Sequence, residues 1–281
     1  MPQPAAARLR KLPAASPDSI DFAPHEHAPL PMVGVAVDYP AGLKVEPHSH
    51  AQCQLLYAVQ GVLEVRTRTS RWLVPPSKAV WLTPHVEHGL RMRGAVRVRS
   101  LLVNRELLAP AQRERLPAQD CVIGVSPLLR ALITEVAHWP VDGQRGRREL
   151  LLVALLLEEL GLPGEALFHL PWPASARLAR VCEQLVAEPG DARLAEDWAA
   201  ALGMSAKTFH RHFEKATGLG FGRWRQRARL LGSLPALLSG QPIVQVALQA
   251  GYESHSAYSL AFRSQMGMPP SAFAAQSRAA G

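Results

Sequence analysis

The 281-residue chain is 48% hydrophobic and 19% charged, an ordinary globular composition with enough length for two domains. Its longest apolar run, LLLVALLLEEL from Leu150, is broken by Glu158 and Glu159, which excludes a membrane span and reads as a buried helix. The net charge is +8, and between Gly203 and Arg278 nine Lys/Arg face two acids, so +7 of it falls in the last quarter. Such a concentration is the electrostatic footprint of a polyanion partner.

Residues 1–31 begin MPQPAAARLRKLPAAS, with basic residues but no apolar core behind them. This segment reads as a disordered arm rather than a secretory leader. Three cysteines, Cys53, Cys121 and Cys182, stand far apart without a Cys-x-x-Cys spacing. They point to reduced thiols in a cytoplasmic protein.

From Val33 to Val103 the chain is a series of short apolar or alternating segments. VGVAVDYP, CQLLYAV, VLEVRTR, RWLVPP, AVWLTP and VRVRSLLV are separated by AG, QG, PPS, HG and RG. Many short strands at close intervals predict a β-sandwich or barrel. Within them lies AGLKVEPHSHAQCQLLYAVQG. On one extended strand His48, His50 and Gln54 share a face, whereas Cys53 and Leu55 point the other way, so Cys53 is set aside as a ligand. TPHVEHGL supplies His85 and His88 further on. The spacing Gly42-x5-His48-x-His50-x3-Gln54-x6-Gly61 with His88 resembles the cupin pattern, in which two histidines, a glutamate and a third histidine hold a divalent metal inside a small β-barrel. Gln54 replaces the glutamate, which removes a negative charge and a strong oxygen donor. His88, His48 and His50 still suit zinc, nickel, copper or iron(II), with His85 available to compensate. Three uses stay open: a metal site, a metal-free effector pocket, and a hydrogen-bonded polar pair.

SPLLRALITEVAHW and RRELLLVALLLEELG carry apolar residues at three- and four-residue spacing and predict a helical pair between Ser126 and Leu160. Its apolar face is wide enough to need a partner. Residues 161–176, rich in Pro and Gly, read as a linker. Residues 32–160 and 177–281 are therefore taken as two domains.

The helical last third contains a repeat. Ala199-x3-Gly203 is matched by Ala247-x3-Gly251. Each is followed by an aromatic pair, Phe209/Phe213 and Tyr258/Phe262, and then by Gly218 or Gly267. A small residue allows close helix approach, the glycine takes a left-handed turn, and Ser205 or Ser254 caps the next helix. The pattern is a helix-turn-helix, present twice, whose second helix can enter a major groove. With the aromatic pairs inward, Lys207, His210 and Arg211 face outward on the first recognition helix, and His255, Ser256 and Ser259 on the second. The first is expected to carry more of the base readout and the second more of the positioning.

Residues 177–276 resemble the DNA-binding domain of the AraC/XylS family of transcription regulators, and GYESHSAYSLAFRSQMGMPPSAF looks like that family's signature region. The resemblance marks the same six residues for DNA. Leu260 departs from it, standing where some relatives have a DNA-contacting arginine. In this family a cupin domain implies effector sensing and dimerisation. The fold expected is a multidomain α and β chain: a cupin-like β-barrel with a helical pair, then an all-α domain with two helix-turn-helix units. The function implied is ligand- or metal-responsive transcription regulation, with no enzymatic activity. The implied partners are double-stranded promoter or operator DNA, a small-molecule or metal effector, a second copy in a homodimer, and RNA polymerase, with no membrane. The alternative is a cupin metalloenzyme fused to a DNA-binding domain, a dioxygenase or isomerase; the missing glutamate and the lack of a placed acid/base pair argue against it.

Overall fold

A computed structural model describes residues 23–160 and 168–280, with side chains up to Ser277. Most of the expected arm and the first half of the expected linker lie outside the described residues. The arm's described end carries one short helix, α1 (Ala23–Glu26).

The β-rich half follows in the order β1 (Met32–Tyr39), β2 (Lys44–His48), β3 (Cys53–Arg66), β4 (Ser70–Val74), β5 (Lys78–Leu82), β6 (His88–Val103) and β7 (Cys121–Gly124). An eighth strand, β8 (His169–Pro171), joins them in one antiparallel sheet. The long strand β6 pairs with β1, β2 and β3, so the sheet curls about it. The segments expected as CQLLYAV and VLEVRTR are one strand, β3. Its QG is a bulge rather than a turn, because Gly61 at φ 83° lets the ladder with β6 resume.

Side-chain alternation divides the curled sheet into two cores. Cys53, Leu55 and Tyr57 of β3 pack outward with α3 (Pro127–Ala137) and α4 (Arg147–Leu160), whereas Leu56 and Ala58 point inward. Burial lifts the Cys53 thiol to about 11, which keeps it protonated and inert. A shorter helix, α2 (Pro110–Arg115), lies against α4.

The helical half comprises α5 (Ala176–Ala187), α6 (Ala195–Ala201), α7 (Ala206–Thr217), α8 (Phe221–Leu238), α9 (Ile243–Gln249), α10 (His255–Met266) and α11 (Pro270–Ala280). No described helix is long and apolar enough to cross a membrane. The inward face of the sheet and this helical half share one continuous apolar cluster. The described part of the expected linker is docked rather than loose. His169–Pro171 pairs with Ser70–Trp72, Trp172 N–H donates to Thr69 O at 2.8 Å, and Trp224 Nε1 donates to Pro171 O at 2.7 Å. Three residues of strand carry too little periodicity to be read from sequence, and flanking prolines disguise them.

Candidate metal centre and nucleic-acid interface

His48, His50 and Gln54 do not share one strand, as the parity argument assumed. His48 ends β2, His50 lies in the following loop and Gln54 is the second residue of β3. Convergence comes from the fold. His48 pairs directly with His88 across β2 and β6, next to a register shift after Val45. The loop is held by His85 N–H donating to His50 O at 2.8 Å. The His48–His88 and His50–His88 ring centroids lie 4.5 and 5.2 Å apart. One ligand atom from each of the three rings falls within 4.8 Å of the others.

The three rings are oriented alike. Nδ1 of His48 lies 2.9 Å from Glu46 O, Nδ1 of His50 2.9 Å from Gln52 O, and Nδ1 of His88 2.8 Å from Val86 O. A carbonyl only accepts, so each Nδ1 carries a proton, and in the neutral form of such a ring the lone pair is on Nε2. Backbone hydrogen bonds that fix the tautomer in this way are what imidazole ligands of metals require. His88 is fully buried, and its Nε2 has no hydrogen-bond partner among the described residues. Burial pushes His88 down to about 4, against the Val86 hydrogen bond, which works the other way; the ring is neutral at physiological pH.

Gln54 is buried beside this group. Its Nε2 donates to Ser100 Oγ at 2.9 Å and its Oε1 lies 3.1 Å from His50 Nε2. With the proton on His50 Nδ1, two acceptors face each other there. A cation between them, a second proton on the ring or a reversed amide resolves the conflict. A cavity of about 170 Å³ opens beside the histidines, with Tyr39, Leu56, Val98 and Leu102 among its walls and Glu26 of α1 at its edge. Tyr39 and Ser100 were not legible from sequence, since their place depends on the register of β1 and β3 on β6. His85 is exposed, sits at φ 62° and stays outside the histidine group.

The helical repeat is reproduced in its hydrogen bonds. Met204 N–H donates to Ala199 O and Tyr252 N–H to Ala247 O, both at 3.0 Å, closing the two turns identically. Ala199 and Ala247 are buried, and Gly203 and Gly251 sit at φ 66° and 78°. A Cβ on Gly251 would also meet Pro189 O at 2.4 Å, so that turn tolerates no other residue. Ser205 accepts from Thr208 N and Ser254 from Ala257 N, both at 3.2 Å, each a side-chain N-cap contributing about 1 kcal/mol. Gly218 and Gly267 end α7 and α10 in the left-handed conformation.

Phe209 and Phe213 are buried in α7, and Tyr258 and Phe262 in α10. Lys207, His210 and Arg211 are exposed, as are His255 and Ser256; Ser259 is half-buried, its Oγ 3.4 Å from His255 Nε2. Lys215, exposed one turn beyond Arg211, extends a straight Lys207–Arg211–Lys215 stripe. The i, i+4, i+8 spacing was the signal that could have added it. The basic excess divides in two. Arg225, Arg227 and Arg229 of α8 donate to the carbonyls of Arg193, His169 and Pro189 and brace the domain, leaving α7 the denser exposed basic surface.

The family profile described as AraC-like ligand binding domain matches residues 30–160, and one described as helix-turn-helix domain matches residues 198–276. The chain belongs to the AraC family. The HTH-type transcriptional regulator NimR of Escherichia coli (strain K12) is 27% identical over 229 residues, 82% of each chain. The HTH-type transcriptional regulator RipA of Corynebacterium glutamicum is 35% identical over 103 residues, 37% of this chain and 31% of RipA. A solved DNA-binding domain of AdpA in complex with a target DNA is 32% identical, with 37% of this chain and 96% of that chain covered and a TM-score of 0.35. This AraC-family chain is a transcription regulator with a ligand-binding domain and a DNA-binding helix-turn-helix domain.

Proposed function

We propose that this regulator senses a divalent transition metal at His48, His50 and His88, and reports it through the two helix-turn-helix units on adjacent major grooves. The observation that carries the reading is the common orientation of the three rings: every Nδ1 lies on a backbone carbonyl, and one ligand nitrogen from each ring falls within 4.8 Å of the others. The buried, unpartnered His88 Nε2 fits a ligand atom, and Gln54 Oε1 fits a fourth, neutral donor. Zinc, nickel, copper and iron(II) all suit such a set. The adjoining cavity favours a second form of the same reading, in which a small effector enters beside the histidines, with or without the metal.

On the DNA side Lys207, His210, Arg211, His255, Ser256 and Ser259 supply the contacts, with Lys215 added. A homodimer supplies the covering for α4, where Leu150, Leu151 and Leu155 are 51%, 59% and 41% exposed, and for Leu128 of α3. Replacing Leu151 and Leu155 with glutamate tests this, with light scattering expected to show monomer. The protein works in the cytoplasm as a regulator and not as an enzyme.

The deciding experiment is metal titration of chelator-stripped protein, followed by measurement of operator affinity with and without the metal. Stoichiometric binding that is lost in the His88→Ala variant, together with a metal-dependent change in DNA affinity, supports the reading. Equal metal uptake by wild type and His88→Ala overturns it.

A further inference from the structure

A second cavity lies away from the histidines, where the bulged middle of β3 and β6 meets the end of α8 and α11. It holds about 470 Å³, within the range of small-molecule sites. Its walls come from both halves of the molecule: Val59 and Val62 from the sensor sheet, Pro235 and Leu238 from α8. The lining also carries the polar side chains of Gln60, Arg93, Ser239 and Ser277, of which two matter here. Arg93 donates Nε to Glu64 Oε2 at 2.7 Å, and its two Nη atoms make no hydrogen bond among the described residues. Ser277 of α11 is 3% exposed, and its Oγ has no hydrogen-bond partner among the described residues. A buried hydroxyl left unpaired carries a desolvation penalty that an incoming acceptor removes.

The charge balance defines the ligand class. Arg66, Arg71 and Arg93 all contact Glu64, so three guanidiniums share one buried carboxylate, and among the described residues only Arg71 has a further acid, Glu183 at 3.8 Å. Glu64 holds Nε of Arg93, and Arg93 itself lines the cavity. Its two Nη atoms match a carboxylate in two-pronged geometry. The backbone of the floor is fixed as well, because a Cβ on Gly61 would meet Ala95 O at 2.4 Å.

We propose that this cavity is a second effector site. It takes a small amphipathic monoanion, with the carboxylate on Arg93 and Ser277 and the apolar body between Val59, Val62, Pro235 and Leu238. Because the walls belong to both halves, an occupant stabilises their docked arrangement and thereby acts on the DNA-binding half directly. The site is separate from the histidines and stands whether or not they hold a metal.

The test uses the full chain stripped of metal and calorimetric titration with 4-phenylbutyrate and its neutral analogue 4-phenylbutan-1-ol. The acid is expected to bind about tenfold more tightly than the alcohol, the effect of one charged contact. Arg93→Gln should abolish that preference. Gln60→Trp, made at an exposed residue on the rim, should block both ligands by filling the cavity without touching the Glu64 network. Equal binding of acid and alcohol overturns the proposal, as does unchanged binding in Gln60→Trp. Loss of binding in a His48→Ala, His88→Ala double variant also overturns it, by assigning the ligand to the other cavity.

Discussion

Arg71 lies over Trp172, its guanidinium carbon 3.5 Å from the ring centroid, while the same group reaches Glu64 Oε1 at 3.5 Å and Glu183 at 3.8 Å. One side chain of the sensor sheet thus touches the buried carboxylate of its own domain, the strap after β8 and the first helix of the DNA-binding half. A cation over a tryptophan face contributes ~1–2 kcal/mol when desolvated. Replacing Arg71 with alanine leaves Arg66 and Arg93 on Glu64, so the sheet survives. The docking of the strap weakens. Hydrogen exchange at His169–Pro171 is expected to quicken several-fold while the protection of β3 and β6 is unchanged. Equal exchange in variant and wild type would show that the strap is held without Arg71.

Gln54 gives the metal reading a test with two opposite signs. Gln54→Glu places a carboxylate where the structure has a neutral amide, and a carboxylate binds a divalent cation more strongly. Metal affinity should rise at least ~10-fold. Without metal the same change buries a charge whose polar neighbours are Ser100 and His50, so the stripped protein should melt at a lower temperature. Calorimetry on stripped and loaded forms reads both effects. A variant that is destabilised in both states and no tighter for metal refutes the site.

The repeat was legible because it is local: Ala-x3-Gly, a capping serine and an aromatic pair fix each unit within about twenty residues, and both units close with the same Ala-to-i+5 hydrogen bond. The histidine cluster was legible for a partly wrong reason. Strand parity placed His48, His50 and Gln54 together, whereas the chain brings them together through a loop and a β2–β6 register shift. Register between distant strands is what a single sequence does not carry, which is why Ser100, Tyr39 and β8 were missed. Composition misled in one respect: three of the four arginines of α8 add to the basic count but bond to carbonyls within the protein.

Glu64 is 1% exposed and meets three arginines. Burial alone raises its carboxyl, but Arg93 and Arg66 outweigh burial and hold it below 4.5, the ordinary value. A group whose folded value is depressed stabilises the fold above its unfolded value and loses that contribution as pH falls through the folded one. Stability should therefore decline below about pH 4.5 in the wild type. Glu64→Gln should flatten that part of the acid limb. At neutral pH it should also destabilise by about 3 kcal/mol, since three partly buried guanidiniums lose their shared partner. Denaturant melts of both proteins between pH 3 and 7 check the slope and the offset together.

The two kinds of arginine in the DNA-binding half should respond differently to substitution. Arg211 is exposed on α7, whereas Arg229 donates Nε to Pro189 O at 2.7 Å. Arg211→Ala should weaken specific operator binding by ~1–3 kcal/mol at little cost to melting temperature. Arg229→Ala should instead lower the melting temperature, by leaving a partly buried carbonyl without its donor. Titration of a labelled operator, paired with thermal melts, separates the two. A swap of these outcomes would reverse the assignment of the basic surface.

Leu260 is 73% exposed on α10, the most exposed of the large apolar side chains among the described residues. It lies one residue beyond Ser259 and three before Arg263, also exposed, in a helix whose inward face is taken by Tyr258, Ala261, Phe262 and Met266. An apolar side chain there contributes nothing to a phosphate and leaves α10 poorer in charge than α7. Leu260→Arg should therefore strengthen DNA binding by the electrostatic increment of one phosphate contact. The logarithmic salt slope should steepen by about 0.9, with random-sequence DNA gaining along with the operator. Stability should be unchanged, since no packing is lost. If α10 stands clear of the DNA, the salt slope will not move, and the second unit then serves as a spacer rather than a reader.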